Sequence, residues 1–403
     1  MRWDFVQLGE LYEVHNGLSK GRQFFGRGYP FLSFSTVFNN WFLPKKLPDL
    51  VQSSDKERES YSILRGDVFV TRTSETMDEL GMSSVALMDY PNATYNGFTK
   101  RLRPIDKKRI LPEYIGYYLR CNEFRSKFIA FSTMTTRASL RNEDLLSIKV
   151  PVPPLDIQRR IADILSTYDG LIENNRKQIK LLEEAAQRLY KEWFVDLRFP
   201  GHEHTRIVDG VPEGWEKRCI SDIATINESN IPKNYQFNYI EYIDLSSVQN
   251  GIIKEKTRYP LVEAPGRAKR VAKDGDIIWG MVRPNLKSFA LVLHPRETDV
   301  YSTGFCVLSS KAVPFSYLYY SVTTESFIRY LVNCTNGAAY PAVKPIHFAE
   351  AELLFPSKML LKKFNDIVEP MLRQREKLLT MTNGAMEARD RLLPKLMSGK
   401  VEV

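Results

Sequence analysis

The sequence predicts an α+β fold: two similar globular units of mixed helix and strand, separated and joined by two long helices that pack as an antiparallel coiled coil. Two observations predict this pseudo-twofold architecture. Short matches link the two halves of the chain in order, and two long segments share the hydrophobic period of a coiled coil. The 403 residues are enough for two or more domains, because single cores rarely grow past about 250–300 residues.

The internal repeat is read from matches whose offset drifts from 212 near the start of the chain to 202–203 further along. Such a drift is expected when two copies differ by small insertions in their loops. Any one match could arise by chance, but an ordered series with a nearly constant offset indicates duplication. The matches pair residues 3–11 with 215–223, 66–69 with 275–278, 97–98 with 304–305, 117–118 with 319–320, 123–124 with 325–326, and 161–165 with 364–368.

Each copy ends in a long segment whose apolar or small residues are spaced by alternating threes and fours. This period of about 3.5 is typical of a coiled coil rather than of a helix lying on a globular core. We therefore expect the two helices to pack on each other; the alternative is two separate helices, each packed on its own globular unit. The predicted seam consists of Ile157, Ile161, Ile164, Tyr168, Leu171, Asn175, Gln178, Leu182, Ala185 and Leu189 in the first helix, and Phe364, Ile367, Met371, Gln374, Leu378, Met381, Ala385, Ala388 and Leu392 in the second.

Proline and turn signals divide the chain into four segments. These are a first globular unit at residues 1–150, a helix and linker at 151–211, a second globular unit at 212–354 and a second helix at 355–403. Pro370 and Asn383-Gly384 should bend or weaken the second helix. Within the globular units we expect strands at residues 67–70 and 276–279 and shorter helices near 112–130 and 314–332.

The charge balance favours a polyanionic partner, although many basic proteins bind no nucleic acid. The formal net charge is +9 and the pI is about 9.1. The four cysteines have no Cys-x-x-Cys spacing, so we expect reduced thiols and neither disulfides nor a metal site. No apolar run is long enough for a membrane span and the N-terminus does not resemble a signal peptide, so we expect a cytoplasmic protein.

Sequence motifs of common catalytic sites are absent. Residues 21–26 have the glycine spacing of a P-loop, but Arg27-Gly28 follows where Lys-Ser/Thr is needed. No Asn-Pro or Asp-Pro dipeptide and no Glu-x-Lys triplet occurs, which argues against a base-flipping amino-methyltransferase and a metal-dependent nuclease. If the chain acts on nucleic acid, we expect it to bind while a partner catalyses.

Three stretches resemble one known family. The sequence VPVPPLDIQRRI at residues 150–161, followed by QRLYKEWF at 187–194, resembles the central conserved region of type I restriction-modification specificity subunits. The sequence DRLLPKLMSG at 390–399 resembles the closing helix of the same family. The second copy departs from the pattern, since PSKMLL at 356–361 lacks the Pro-Pro-Leu and Gln signature.

The resemblance implies a non-catalytic DNA-binding subunit. In this family each globular unit is a target-recognition domain that reads one half of a bipartite, asymmetric site in double-stranded DNA, and the helical rod sets the spacer. The rod also docks two methyltransferase subunits, and restriction/translocase subunits join them. No cofactor is expected on this chain; S-adenosylmethionine, ATP and Mg²⁺ would be held by the partners. The alternatives are an orphan or other-pathway DNA-binding protein of the same design, and a coiled-coil scaffold that binds proteins.

Candidate DNA contacts are polar or basic residues in turns, any of which could equally be a solvated surface residue. In the first unit a flexible basic loop is expected around residues 20–28, and other donors could reach phosphates or base edges. The candidates are Lys20, Arg22, Arg27, Arg72, Thr73, Lys100, Arg101, Thr135, Thr136 and Arg137 in the first unit, and Arg267, Lys269, Arg270, Arg283, Asn285, Tyr340 and Lys344 in the second.

Overall fold

The computed structural model describes residues 3–74, 80–130, 133–134, 138–139, 141–335 and 341–403. The chain divides into two compact units: Met1–Asn174 with Thr382–Val403, and Asn175–Met381. We call these the first and second unit, and their globular parts the first domain (residues 3–152) and the second domain (residues 207–355). This division differs from the four predicted segments because each unit combines one domain with one part of each long helix.

The helices include the expected short pairs in each domain and the two long helices. The bounds are α1 (Leu8–Leu11), α2 (Phe34–Asn39), α3 (Asp55–Ser60), α4 (Pro112–Tyr118), α5 (Asn122–Ala130), α6 (Asn142–Ser147), α7 (Leu155–Tyr190), α8 (Ile220–Ile223), α9 (Phe315–Val322), α10 (Glu325–Asn333), α11 (Pro345–Ala349) and α12 (Lys358–Met397). A π-helical turn, Lys191–Val195, follows α7. No helix in the part of the chain that the structure describes is long and apolar enough to cross a membrane.

The first domain is built on a four-stranded antiparallel sheet with strand order β2-β9-β5-β7 and a three-stranded sheet with order β4-β3-β8. Its strands are β1 (Asp4–Gln7), β2 (Tyr12–Asn16), β3 (Phe25–Leu32), β4 (Asp49–Val51), β5 (Val68–Thr71), β6 (Thr73–Ser74), β7 (Ser83–Val85), β8 (Thr94–Tyr95), β9 (Thr99–Pro104), β10 (Thr133–Met134), β11 (Ala138–Ser139) and β12 (Lys149–Val152).

The second domain repeats this plan with the sheet orders β16-β25-β22-β23 and β20-β17-β24-β21. Its strands are β13 (Ile207–Val208), β14 (Val211–Pro212), β15 (Glu216–Cys219), β16 (Ala224–Ile226), β17 (Tyr239–Ile243), β18 (Val248–Gln249), β19 (Ile252–Ile253), β20 (Thr257–Pro260), β21 (Ala268–Arg270), β22 (Ile277–Gly280), β23 (Phe289–Leu291), β24 (Asp299–Ser302), β25 (Phe305–Ser310) and β26 (Glu352–Phe355).

The duplication read from the sequence is confirmed by the topology. In each domain the first strand pairs with the last one, as β1 with β12 and β15 with β26. Each domain also contains one parallel pair in its second sheet, β3 with β8 and β17 with β24. The predicted strands at 67–70 and 276–279 are the central strands β5 and β22 of equivalent sheets.

A glycine-aspartate pair introduces both central strands, which explains one of the repeated motifs. Gly66 and Gly275 have φ of 96° and 85°, in the left-handed region that glycine adopts without strain. The following carboxylates are buried, and each closes its turn by accepting a backbone N–H: Asp67 from Leu64 and Asp276 from Lys273, both at 2.8 Å. The glycine and the aspartate of each pair therefore stabilise the turn that precedes the central strand.

One sequence match is displaced by a residue. Strand pairing places Thr99 opposite Thr71 and Phe305 opposite Gly280, so Thr99 and Phe305 are equivalent. The matching of Gly97-Phe98 with Gly304-Phe305 at an offset of 207 is therefore wrong by one position. In a strand, one residue of shift moves a side chain to the opposite face. Accordingly, Phe305 is fully buried, whereas Phe98 is 55% exposed.

Within each unit the parts of α7 and α12 pack on each other in antiparallel directions. In the first unit Ile161 and Leu165 share a core with the C-terminal end of α12, and Asp169 pairs with Arg389 at 2.6 Å. In the second unit Glu183 pairs with Arg375 at 2.5 Å. In the same unit the ring centroids of Tyr190 and Phe364 are 6.1 Å apart, so within each unit later residues of α7 contact earlier residues of α12, as the antiparallel prediction requires. Both cores also contain side chains of the domain, so each helix packs on its domain as well.

The predicted seam is correct at some positions and wrong at others. Ile161, Phe364 and Leu378 are buried, and Ile164, Leu182, Leu189 and Leu392 are half-buried. Leu171, Ile367 and Met381 are 40%, 42% and 44% exposed, while the adjacent Ile172, Val368 and Thr382 are buried. The strict heptad fails at such positions because helices that contact both a partner helix and a domain bury a broader face than a two-stranded seam does.

Helix α12 runs without interruption through Pro370 and Gly384. The weakening expected there does not end the helix. Val368 and Leu372 on either side of Pro370 are buried in the second unit's core, and this packing offsets the one hydrogen bond that the proline removes.

Candidate nucleic-acid interface

Each domain has an edge where the turn after the central strand pairs with the segment before a short helix. In the first domain β6 pairs with β11, which places Thr73 opposite Ser139. In the second domain Val282 and Ala342 form the equivalent bridge, and the Arg283 N–H donates to the Pro341 carbonyl at 2.8 Å. We call this the paired edge; it comprises residues 72–74, 96–100, 138–139 and 141–142 in the first domain and 281–285, 302–306 and 341–344 in the second.

Several predicted residues of the first domain meet at its paired edge. Arg72 donates from Nη1 to Asn16 Oδ1 at 3.2 Å. Lys100 donates from Nζ to Asn142 Oδ1 at 2.5 Å and is largely buried. The backbone of Thr73 lies in β6. Thr135, Thr136 and Arg137 lie outside the described residues.

The Lys100 amine is held in an environment that disfavours its charge. Burial, and then the neighbouring positive charge of Arg72, lower its pKa from 10.5 to about 8. Burial lowers the pKa because the charged ammonium is stabilised by hydration far more than the neutral amine is, and this hydration is lost in the interior. At neutral pH the amine is therefore still charged, but it loses its proton far more readily than an exposed lysine.

We expect the lowered pKa of Lys100 to make the free energy of unfolding depend on pH. The folded-state pKa lies below the unfolded one, so between about pH 8 and pH 10.5 the unfolded chain binds the extra proton, and stability rises with pH. Urea unfolding of the parent protein and of Lys100→Met across that window should show the parent gaining stability relative to the variant. A difference between the two proteins that stays constant with pH would contradict this assignment.

Arg101 was predicted to contact DNA, and this prediction is wrong. Its side chain is 3% exposed, it donates to the Ser62 carbonyl at 2.7 Å, and its guanidinium lies 5.3 Å from the centre of the Tyr95 ring. Strand β9 lies between β2 and β5, and both of its faces are covered, so Lys100 and Arg101 are buried although they point to opposite faces of the sheet. Arg101 is thus part of the interior of the first domain.

The basic segment at residues 20–28, expected to be a loop, has regular secondary structure over most of its length. It contains a 3₁₀ helix, Arg22–Phe24, and the start of β3. Lys20 is tied down within the domain, since Nζ donates to the Gln52 carbonyl at 2.7 Å and to Glu57 Oε2 at 2.8 Å. This hydrogen bond lowers the pKa of the Glu57 carboxyl.

Arg22 and Arg27 are different from Lys20. Both are exposed, and neither side chain has a hydrogen-bond or ion-pair partner among the described residues. Arg27 stands on a bulge of β3, where the register with β4 shifts and the flanking Gly26 and Gly28 have positive φ. A bulge directs a side chain away from the sheet. These two arginines are therefore available to an anionic ligand.

In the second domain the predicted residues fall into two neighbouring groups. Arg283 and Asn285 are exposed in the turn after β22, and Lys344 is exposed on the segment that pairs with this turn. Arg267 and Lys269 are exposed around β21, and the Arg267 carbonyl accepts from the Thr303 N–H at 2.8 Å, beside the same edge. The remaining two candidates are Arg270, which is half-buried and donates to Asn230 Oδ1 at 3.1 Å, and Tyr340, which lies outside the described residues.

The structure adds residues that the sequence argument missed. Asn16 and Asn142 hold Arg72 and Lys100 at the paired edge of the first domain. These asparagines could have been proposed from the sequence, because they lie at the end of β2 and the start of α6, where amide side chains often form hydrogen bonds with neighbouring residues. Among the described residues no group of three or more His, Cys, Asp or Glu side chains could hold a metal ion.

Comparisons with known proteins agree with this architecture. The family model described as the type I restriction modification DNA specificity domain matches residues 1–184. The MjaIX specificity subunit of Methanocaldococcus jannaschii is 23% identical, with 100% of this chain and 94% of the relative covered. The HindI specificity subunit of Haemophilus influenzae is 21% identical, with 99% of each covered. The crystal structure of a type I restriction-modification S subunit from M. genitalium has the same fold, with a TM-score of 0.65, 14% identity and coverage of 98% and 96%.

Two similar domains, each with a paired edge and each followed by a long helix, define an internally duplicated protein. The chain is similar to type I restriction-modification specificity subunits, in agreement with the resemblance carried by its helices.

Proposed function

We propose that this chain is the non-catalytic DNA-specificity subunit of a type I restriction-modification complex. Each domain reads one half of a bipartite site in double-stranded DNA, and the rod formed by α7 and α12 sets the spacer between the halves. The observation that carries the proposal is the paired edge, which occurs in both domains on equivalent backbone but with different side chains.

The difference between the two edges supports an asymmetric site. Backbone pairing makes Arg72 equivalent to Met281, and both side chains are partly exposed. Base pairs are distinguished by the donors, acceptors and methyl groups that they present in the major groove. Two edges with different side chains on the same backbone are thus suited to two different half-sites, rather than to the halves of a palindrome.

Catalysis is assigned to partners that dock on the rod. The long helices expose apolar side chains at several positions, which favours contact with other subunits; these are Leu171, Leu181, Met359, Ile367 and Met381. We propose two methyltransferase subunits and restriction/translocase subunits as these partners, in the cytoplasm, with S-adenosylmethionine, ATP and Mg²⁺ bound to them. This chain itself then needs no cofactor.

The double variant Arg22→Gln/Arg27→Gln tests DNA binding. If both arginines contact phosphates, the slope of log affinity against log salt should become shallower by about 1.8, because each contact contributes roughly 0.9. The loss should be similar for specific and unrelated duplexes, since phosphates carry no sequence information. Titrations of duplex DNA with the subunit and its methyltransferase partner, at several salt concentrations, measure this slope.

A matched control removes two charges elsewhere. Lys107 and Lys108 are exposed in the turn after β9, at the end of that strand opposite the paired edge. Lys107→Gln/Lys108→Gln should leave the slope unchanged. Equal effects of the two double variants would indicate only a general loss of charge, and absence of salt-dependent binding by the parent complex would refute the proposed function.

A further inference from the structure

Phe98 and Gly304 occupy the same position of the same turn in the two domains. The Phe98 carbonyl accepts from the Arg72 N–H at 3.0 Å, and the Gly304 carbonyl accepts from the Met281 N–H at 2.9 Å. Both residues also donate their own N–H to a side chain two positions earlier: Phe98 to Asn96 Oδ1 at 2.6 Å and Gly304 to Ser302 Oγ at 3.2 Å. The backbone is thus the same, and only the first domain adds a side chain.

The turn that carries Phe98 is firmly held. The Gly97 N–H donates to the Leu18 carbonyl at 2.9 Å, and the Thr99 N–H donates to the Asn96 carbonyl at 3.0 Å. A Cβ on Gly97 would lie 2.3 Å from Ser19 Oγ and 3.2 Å from the Leu18 carbonyl oxygen, so a larger residue would require the Ser19 side chain to move. The aromatic ring is therefore presented from a fixed backbone, which lowers the entropy lost when it contacts a ligand.

The Phe98 ring is among the most exposed aromatic side chains of the first domain. Phe98 is 55% exposed and Phe5 is 53% exposed, while Phe69 and Tyr95 are fully buried. Single exposed apolar residues are common on protein surfaces. Phe98, however, stands at the paired edge, where its carbonyl accepts from the Arg72 N–H, and its ring adds an apolar contact surface beside this partly exposed arginine.

We infer that Phe98 is a specificity-determining residue of the first domain, which reads a thymine in its half-site through an apolar contact with the C5-methyl group. This methyl group is the apolar feature that a base pair presents in the major groove, next to acceptors that amide and basic side chains bind. The inference rests on the proposed DNA-reading function. It also explains how equivalent edges differ, since the second domain has no side chain at this position.

The test is a selection from duplexes randomised at both half-sites, using the full chain with its methyltransferase partner. Phe98→Ala should reduce the preference for thymine at one base pair of one half-site by about tenfold, as a single mismatched pair commonly does. The other half-site and the salt slope should not change, because no phosphate contact is removed. Replacing that thymine with deoxyuridine should weaken binding of the parent protein and have little effect on Phe98→Ala.

Two further variants keep the result interpretable. Phe98→Leu retains an apolar side chain and should keep part of the preference. Leu286→Ala removes an apolar side chain that is 52% exposed in the second domain, and it should leave the first half-site unchanged. The inference is overturned if Phe98→Ala keeps every base preference of the parent, or if its loss falls on a pair without thymine. If the parent complex selects no half-site at all, the proposed function fails instead.

Discussion

Replacing Val368 with lysine is expected to unfold the second unit under conditions in which the parent protein is fully folded. Val368 lies on α12 with no exposed surface, in a core that also contains Phe364 and Leu372. An unpaired ammonium in an apolar interior loses its hydration without compensation, and such substitutions are among the few that cost more than about 4 kcal/mol. Urea unfolding followed by far-UV circular dichroism measures the loss.

The adjacent residue provides the control for this prediction. Ile367 is 42% exposed, so Ile367→Lys should change the free energy of unfolding by less than about 0.5 kcal/mol. The strict heptad makes the opposite prediction, because it places Ile367 in the seam and Val368 outside it. Comparable destabilisation by both lysines would mean that the buried face has been assigned incorrectly.

The second large effect is expected from Asp67→Ala in the first domain. The Asp67 carboxylate is 1% exposed and receives two hydrogen bonds from Arg103, at 2.9 and 2.7 Å, besides the one from the Leu64 N–H. Its removal leaves the Leu64 N–H without its acceptor and the partly buried Arg103 guanidinium with only its bonds to Ser62. Breaking a buried pair in this way costs about 3–5 kcal/mol, which the midpoint of urea unfolding should report.

Asp55 is the matched carboxylate for comparison. It pairs with Arg58 on helix α3, but its side chain is 97% exposed. Water and salt screen such a pair, so Asp55→Ala should cost no more than about 1 kcal/mol. If Asp67→Ala is as mild as Asp55→Ala, the turn before β5 does not depend on its carboxylate.

The architecture could be predicted from the sequence because its signals are local and occur twice. Helix periodicity, the glycine-aspartate turns and the order of the matches all repeat along the chain. Register could not be predicted, since it depends on which strands pair. Phe98 and Phe305 follow glycines in the same way, yet hydrogen bonding places them one position apart. The same limit explains why the exposed Leu171 and Ile367 were placed in the seam.

The candidate site was predicted less well than the fold. Composition indicates basic residues in turns, and Arg22, Arg27 and Lys344 are indeed exposed. Composition does not indicate which of these basic side chains form ion pairs or hydrogen bonds within the folded domain. Lys20 is paired with Glu57, and Arg101 lies inside the domain, because residues distant in sequence come to lie beside them. Only the three-dimensional structure shows which donors are exposed and which are already bonded to other residues of the domain.

The division of the chain has a consequence for the order in which the protein can form during synthesis. The first unit needs Thr382–Val403, which the ribosome adds only after all of the second unit. Until then, Ile161 and Leu165 lack their contacts with Leu393 and Leu396 and leave apolar surface uncovered. The second unit, whose residues are continuous, can fold first, and the half-formed first unit is the stage most exposed to aggregation and to chaperone binding.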